Sequence, residues 1–235
     1  MKKSQSLLLR WIWRSVKVFF TLLLLYQVWL FAHVCWWVKF NPSSSAFMDT
    51  RLEIMQDKNP DAELRQKWVP YAKISDNLKR ALVTAEDAKF VDHEGFDWEG
   101  IQKAYAKNLR KGKIVAGGST ISQQLAKNLF LSTRRTPWRK LEEAVITVML
   151  ETVMDKQRIF EIYLNIIEWG NGVFGAEAAA RHYYHVSASQ LSAEQAAKLA
   201  AMVPNPRYYD RHRDAPGMLR KTEIIISRMN DAEIP

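Results

Sequence analysis

Residues 117–128 read GGSTISQQLAKN, the most informative stretch of the chain, and this stretch predicts the start of a helix. Two glycines precede a Ser-Thr pair, and a helical pattern begins at once. Thr120 with Gln123 three residues later matches a capping box, which predicts Thr120 as the N-cap. The apolar positions that follow share one helix face and can enter a core: Ile121, Leu125 and Leu129.

The polar side chains of this predicted helix fall on another face. Thr120, Gln124 and Lys127 stand at i, i+4 and i+7, so a hydroxyl, an amide and an ammonium group point the same way. The N–H groups at the start of a helix attract negative charge. The stretch therefore predicts a site for an anion such as a phosphate or pyrophosphate. The alternative is an ordinary capped helix with a solvated polar face.

A glutamate in the segment AEDAKFVDHEG, residues 85–95, is the first candidate for chemistry. Helical spacing places Glu86 on one face with Leu82, Phe90 and His93. Desolvation at the edge of this apolar stripe would favour the neutral form of the carboxyl group, as a general acid or base requires. The alternative is a surface glutamate in an ion pair.

A second glutamate lies in different surroundings. In PWRKLEEA, Glu143 follows Arg139 by four residues and Lys140 by three, so both cations can reach it on one helix and favour its ionised form. Two carboxylates in unlike environments are typical of sites for sugar transfer. Ion pairs with this spacing are also common on helix surfaces, so the pattern alone leaves both interpretations open.

The positive charge of the chain is concentrated at its start. The net charge is +9, and the first forty residues contain six Lys or Arg and no Asp or Glu, which leaves 28 basic and 25 acidic residues in the rest. The basic residues flank an apolar segment, and no stripe of basic and aromatic residues occurs elsewhere. A nucleic-acid partner is therefore not expected.

The apolar segment covers residues 18–38 and contains no formal charge. At 1.5 Å per residue it spans roughly 32 Å, enough to cross a bilayer core of about 30 Å. Trp11, Trp13, Trp36 and Trp37 flank it, as at membrane interfaces. More Lys and Arg precede the span than follow it, so we expect the N-terminus in the cytoplasm. The span ends in Trp36 and Trp37, whereas a signal-peptide cleavage site needs small residues, so an uncleaved anchor is favoured over a signal peptide.

These patterns divide the chain into four parts: a basic tail over 1–17, a transmembrane anchor over 18–38, a linker over 39–50 and a mainly α-helical domain over 51–235. Helices are predicted over 76–89, with Ser75 or Asp76 as the cap, from Pro137 onward, and over 156–169, 173–184 and 192–202. The helix after Pro137 carries an apolar stripe at Leu141, Val145, Val148 and Thr152. Cys35 is the only cysteine, so no intrachain disulfide can form.

Five segments resemble, in order, the motifs of the peptidoglycan glycosyltransferase domain of glycosyltransferase family 51: EDAKFVDHEG, GGSTISQQLAKN, RKLEE, RIFEIYLNIIEWGNGVFG and LAAMVPNP. The resemblance covers roughly residues 69–209. The chain has no transpeptidase signature and too few residues for that domain, so it is similar to the monofunctional members. The resemblance implies a single lysozyme-like helical domain with a membrane-facing lobe, after one N-terminal transmembrane helix.

The resemblance also implies a reaction. Glu86 matches the catalytic base that deprotonates the 4-hydroxyl group of lipid II, the acceptor; attack on the lipid-linked glycan then expels undecaprenyl pyrophosphate with inversion. Glu143 matches the second catalytic glutamate by its RKxxE spacing, although helix phase does not exclude the adjacent Glu142. Glu143 is also the candidate ligand of a divalent cation (Mg²⁺ or Mn²⁺). No cofactor is otherwise expected.

Further matched positions are expected to bind or shape the substrate site: Asp87, Phe90, His93, Gly118, Ser119, Thr120, Gln123, Gln124, Lys127, Asn128, Arg139, Lys140, Tyr163 and Asn165. The implied partners are lipid II, the lipid-linked glycan and the membrane, with proteins of the cell-wall or division machinery as candidates. The implied location is the bacterial cytoplasmic (inner) membrane, with the catalytic domain outside the cytoplasm. Two alternatives are a lytic or hydrolytic muramidase, which needs no pyrophosphate site, and an inactive membrane-anchored scaffold.

Overall fold

A computed structural model describes residues 2–113, 117–131 and 137–235, with backbone only for residues 2–8 and 137. The chain forms two compact units, Met1–Phe40 and Asn41–Pro235.

The first unit is one long helix, α1 (Lys2–Trp37). Within the described ranges, its stretch Leu9–Trp37 is the one helix long and apolar enough to cross a membrane, judged by length and composition. Its 29 residues correspond to roughly 43 Å of helix. Arg10, Arg14 and Lys17 lie within this helix. A membrane anchor is the function that such a helix suggests.

The second unit is mainly helical, as predicted. Its α-helices in the described ranges are α2 (Ala46–Gln56), α3 (Asp76–Glu86), α4 (Trp98–Lys111), α5 (Ile121–Phe130), α6 (Pro137–Val153), α7 (Lys156–Ile166), α8 (Ala176–Tyr184), α9 (Ala193–Met202), α10 (Pro206–Arg211) and α11 (Pro216–Arg228). Single 3₁₀ turns occur at Tyr71–Lys73, Ala188–Gln190 and Met229–Asp231.

Three short strands form a small sheet in the order β1–β3–β2: β1 (Arg65–Gln66), β2 (Glu168–Gly170) and β3 (Val173–Phe174). β1 runs parallel to β3, and β2 is antiparallel to it. The helices predicted over 156–169 and 173–184 were therefore too long. Their ends form β2 and β3, where all five residues are buried, because a short apolar run has no periodicity that separates strand from helix.

Local capping chemistry sets most helix starts. Ser75 begins α3 by accepting a hydrogen bond from Asn77 N, Asp155 does the same for α7 from Arg158 N, and Ser192 forms a capping box at α9. Pro137 is the first residue of α6, as predicted. The prediction that α3 continues to residue 89 was wrong. The helix ends at Glu86, so Phe90 and His93 do not share its face.

Helix α5 lies at the centre of the second unit. It packs against α2, α6 and α7, while α3 packs against α9 and α11. Ile121, Leu125 and Leu129 of α5 are buried, as predicted. The C-terminal end of α3 thereby reaches both the start of α5 and the side of α11, and the candidate site lies there.

The apolar stripe of α6 faces outward. Trp138 is 79% exposed, and Leu141 and Val148 are exposed beside it, whereas Glu143 and Ile146 are buried. The side of α6 that faces the interior therefore carries both polar and apolar residues. The stripe is therefore a surface of the second unit and not part of its core.

Candidate active site

The start of α5 has the predicted capping box. Thr120 Oγ1 accepts a hydrogen bond from Gln123 N at 3.2 Å, and Gln123 Oε1 accepts one from Thr120 N at 3.0 Å. The Thr120 hydroxyl also donates to Gly95 O at 2.7 Å. Both side chains are buried, and their polar atoms serve the cap. Thr120 and Gln123, which were predicted to bind substrate, thus have a structural role as the cap of α5.

The first N–H group of α5 is already bound by a carboxylate of the same chain. Asp87 Oδ2 accepts a hydrogen bond from Ile121 N at 2.9 Å, and Asp87 Oδ1 accepts one from His93 Nε2, also at 2.9 Å. A carboxylate in this position is stabilised by the helix dipole. Asp87 therefore takes the first N–H group of α5, which the prediction had left free for an anion.

Replacing Asp87 with alanine is expected to lower the free energy of unfolding by about 3 kcal/mol, since it leaves two buried donors without an acceptor. Asp87→Asn keeps one acceptor and should lower it by about 1 kcal/mol. Thermal unfolding of the full-length protein in detergent measures both effects. Asp92→Ala is the matched control, because Asp92 is exposed and should change stability by less than about 0.5 kcal/mol. Equal unfolding temperatures of the Asp87→Ala and Asp92→Ala proteins would show that the two hydrogen bonds of Asp87 do not stabilise the fold.

Glu86, the last residue of α3, accepts two hydrogen bonds. Its Oε2 accepts from Gln124 Nε2 at 3.1 Å, and its Oε1 accepts from Lys221 Nζ at 3.2 Å. Tyr163 in turn donates from its hydroxyl group to Gln124 Oε1 at 3.0 Å. The Glu86 side chain is 11% exposed. The apolar surroundings expected for Glu86 are therefore not what the structure shows. Hydrogen-bond donors surround its carboxylate and fix its orientation.

Tyr163 remains a neutral donor in this chain. Burial raises the pKa of the Tyr163 hydroxyl group well above its usual range, and the nearby Glu86 and Asp87 carboxylates act in the same direction. A carboxylate oxygen can only accept, so Glu86 takes the Nε2 donor of Gln124, and Gln124 Oε1 is left to accept from the Tyr163 hydroxyl group. This fixes the amide of Gln124 so that its Nε2 faces Glu86.

Lys221 on α11 was missed by the sequence reasoning. It lies 135 positions from Glu86 in the chain, outside every motif that pointed to the site. Lysines on helix faces are common, so no local signal distinguishes this one. Only the packing of α11 against α3 brings its ammonium group to the carboxylate.

Glu143 lies at the centre of a cluster of cations. It is buried, its Oε1 pairs with Lys140 Nζ, and its Oε2 lies 3.8 Å from Arg139 Nη1. Lys140 Nζ also lies 3.4 Å from the hydroxyl oxygen of Ser119, which is exposed. The neighbouring Glu142 is only half-buried. Of the two adjacent acids, Glu143 is thus the one that organises the cations.

Lys127 of α5 completes this cluster. Burial lowers the pKa of its ammonium group, and the nearby cations Arg139 and Lys140 lower it further. The carboxylates of Glu143 and Glu86 act in the opposite direction and raise that pKa. No direct hydrogen bond or ion pair of this half-buried ammonium group occurs among the described residues. An anion bound here would supply the missing partner and raise the pKa of Lys127 again.

The surroundings of Glu143 do not fit a divalent metal ion. Two cationic side chains approach its oxygens, and within the described ranges no group of three His, Cys, Asp or Glu could hold such an ion. Mg²⁺ and Mn²⁺ prefer several oxygen ligands. The donor set beside Glu143 instead suits an anion.

A cavity of about 200 Å³ lies beside Glu86. It is lined by the end of α3, the start of α4 and residues 117–120. Thr84 Oγ1, also missed by the sequence reasoning, lines this cavity and is buried without a hydrogen-bond partner in the described part of the chain. Gly118 lines it as well, and a Cβ atom there would lie 3.0 Å from Ile101 Cα. Glycine therefore allows this loop to approach α4 closely.

Several other predicted substrate residues serve the structure. Phe90 is fully buried, with its ring 5.5 Å from that of Phe160. Asn165 is also fully buried; its Oδ1 accepts from Val69 N, and its Nδ2 donates to Val69 O and Glu161 O. Asn128 is buried on α5. Contacts thus join Glu86 with Gln124, and Glu143 with Arg139 and Lys140, while Lys127 interacts electrostatically with both carboxylates. Phe90 and Asn165 instead belong to the packing.

Comparison with known proteins identifies the family of this chain. A family model described as transglycosylase matches residues 53–230. A protein named biosynthetic peptidoglycan transglycosylase from Methylobacillus flagellatus is 69% identical over 223 residues, which cover 95% of this chain and 97% of that protein. A protein of the same name from Laribacter hongkongensis is 68% identical over 97% of this chain and 100% of its own length. Another from Chromobacterium violaceum is 69% identical over 90% of this chain and 93% of its own length. The chain therefore belongs to the transglycosylase family.

Proposed function

We propose that this enzyme is a peptidoglycan glycosyltransferase, which transfers a lipid-linked glycan from undecaprenyl pyrophosphate to the 4-hydroxyl group of lipid II with inversion. The observation that carries the proposal is the pairing of two unlike carboxylate sites. Glu86 is held by neutral and cationic donors, whereas Glu143 pairs with Lys140, whose side chain is 53% exposed, and lies near Arg139. The names of the relatives support the same substrate class.

Glu86 is the proposed general base. Gln124 and Lys221 each bind one of its oxygens, which orients the carboxylate while part of it stays accessible. The proton of the sugar 4-hydroxyl group passes to Glu86 as the hydroxyl oxygen attacks the anomeric carbon. The bond from that carbon to the pyrophosphate oxygen breaks, and the leaving group takes the electron pair. General-base catalysis of this kind contributes about 10² to 10⁴ in rate.

The cation cluster is the proposed site of the pyrophosphate. Negative charge develops on the leaving group, and preorganised cations stabilise that charge most effectively where water is largely excluded. Lys127 is half-buried and Glu143 is buried. In this proposal Glu143 is a positioning residue: it aligns Arg139 and Lys140, and these with Lys127 contact phosphate oxygens.

Exposed apolar faces support action at a membrane surface. On α4, Trp98, Tyr105 and Leu109 are exposed at helical spacing, and on α6 the exposed stripe begins at Trp138. Contiguous apolar faces of this kind mark interaction sites, and aromatic residues favour the membrane interface. The proposed location is the bacterial cytoplasmic membrane, where a lipid-linked substrate would reside.

The proposed topology has the N-terminus in the cytoplasm and the catalytic unit outside. A reporter that is active only outside the cytoplasm should be active when fused after Pro235 and silent when fused near Lys3, because Lys and Arg are in excess before the span. A variant with Arg10→Gln, Arg14→Gln and Lys17→Gln removes positive charge ahead of the span and should weaken this preference. The opposite pattern in the unmodified protein would contradict the topology.

Incubation of the full-length protein with labelled lipid II tests the proposed function directly. Polymeric glycan is the expected product, separated by size and sensitive to a muramidase. Cleavage of added glycan strands without polymer formation would instead support the muramidase, and the absence of both activities would support an inactive scaffold. The cation cluster argues against both, since neither needs to hold a pyrophosphate.

A further inference from the structure

A second concave site lies between α2 and α10. Its volume is about 890 Å³, within the range of sites that take small molecules. None of its lining residues belongs to the site around Glu86. The turn between β2 and β3 contributes Asn171 to its lining. This feature is called the α2–α10 groove below.

A buried arginine gives the groove a fixed frame. Arg51 of α2 is 4% exposed. Its Nε donates to Glu168 Oε1 at 3.2 Å and its Nη2 to Asn171 Oδ1 at 2.8 Å. From the opposite wall, Arg207 Nε lies 3.7 Å from Glu168 Oε2. One buried carboxylate therefore holds the guanidinium groups of both walls in place.

The rim of the groove carries positive charge that the protein does not neutralise. Lys58 on one side and Arg211 on the other are exposed, and no ion pair of either occurs in the described part of the chain. The one acid that lines the groove, Asp210, is already engaged: its oxygens accept from the Tyr183 hydroxyl group at 2.8 Å and from Asn171 N at 3.0 Å. The groove therefore presents an excess of cations to an incoming ligand.

The rest of the lining combines uncharged polar groups and an aromatic ring with three apolar side chains, those of Ile54, Met55 and Ala62. Tyr208 is 44% exposed and offers part of its ring, while Asn59 and Asn205 are exposed amides. Amides match hydroxyl and acetamido groups, and an aromatic ring can cover the apolar face of a sugar. A ligand that meets all these groups combines carboxylates with neutral sugar or peptide units.

We infer that the α2–α10 groove binds peptide-substituted glycan through the carboxylates of its peptides, outside the catalytic cleft. This inference rests on the proposed function, which makes such a glycan the substrate and product. A membrane of anionic lipids would be the other source of negative charge. The concave shape, the buried Arg51 and the amides favour a discrete solute, because attraction to a lipid surface needs only exposed cations on an accessible face.

The test uses a soluble disaccharide-peptide fragment, released from peptidoglycan by a muramidase, and the full-length protein in detergent. We expect binding that weakens at least tenfold in the double variant Lys58→Gln/Arg211→Gln. The same fragment with its carboxylates amidated should bind the unmodified protein at least tenfold more weakly. The matched control, Lys73→Gln/Arg228→Gln, removes two exposed cations elsewhere and should bind like the unmodified protein.

Equal binding by the unmodified protein and the groove variant, or no binding by either, would overturn the inference. It would also be overturned if the groove variant lost binding to phosphatidylglycerol vesicles but kept binding to the fragment. Polymerisation of lipid II is measured in parallel. A protein that forms no polymer contradicts the proposed function, whereas the fragment experiment decides the groove by itself.

Discussion

Glu86→Gln is expected to lower the rate of glycan polymerisation by two to four orders of magnitude, because glutamine cannot accept the proton of the sugar hydroxyl group. The substitution keeps the size of the side chain, and its amide oxygen can still accept one of the two hydrogen bonds from Gln124 and Lys221. Binding of lipid II should therefore change little. The measurement is initial rate with labelled lipid II, with thermal unfolding as a check on the fold.

Glu53→Gln is the matched control for this prediction. Glu53 is an exposed residue of α2, so the same chemical change there should leave the rate within about twofold of the unmodified protein, as for most surface substitutions. If the Glu86→Gln protein polymerised lipid II within a few-fold of the unmodified rate, Glu86 would have no part in the proton transfer.

Lys127→Ala is expected to weaken binding of a pyrophosphate- or phosphate-bearing ligand by roughly ten- to a hundred-fold, since a charge-assisted contact contributes about 1.5–3 kcal/mol. Moenomycin, a phosphoglycolipid that inhibits the family this chain resembles, is a suitable probe. Arginine keeps the charge but presents a planar fork in place of a compact ammonium group, so Lys127→Arg should restore binding only in part. Calorimetry or fluorescence polarisation measures the three affinities.

Stability separates this effect from simple damage to the fold. Burial lowers the pKa of Lys127, so the folded state disfavours the charged side chain at neutral pH. Removing that charge should leave the unfolding temperature unchanged or raise it. The control Lys73→Ala, at an exposed position, should alter neither binding nor unfolding. Equal affinity of all variants for moenomycin would show that Lys127 does not contact the phosphate, and would remove the pyrophosphate site from the proposal.

The sequence predicted the elements whose geometry is local. The capping box joins Thr120 and Gln123, three residues apart, and Glu143 meets Arg139 and Lys140 within one turn of α6. Helix geometry alone brings such residues together. The apolar stripe of α6 was visible for the same reason, but periodicity cannot tell whether a stripe faces a core or the surface. The exposure of Trp138 depends on which side of α6 the other helices cover.

Tertiary structure alone decided which groups surround the reactive carboxylate. Lys221 reaches Glu86 across 135 positions, and Asp87 reaches the first N–H group of α5 across 34. The second contact takes the first N–H group of α5 out of the expected anion site, because a carboxylate of the protein already accepts its hydrogen bond. Contacts of this kind depend on the packing of α3 against α5 and α11, which no local spacing encodes. The sequence therefore determined the residue types and helices of the site, and the packing of those helices determined which donors, acceptors and charges meet.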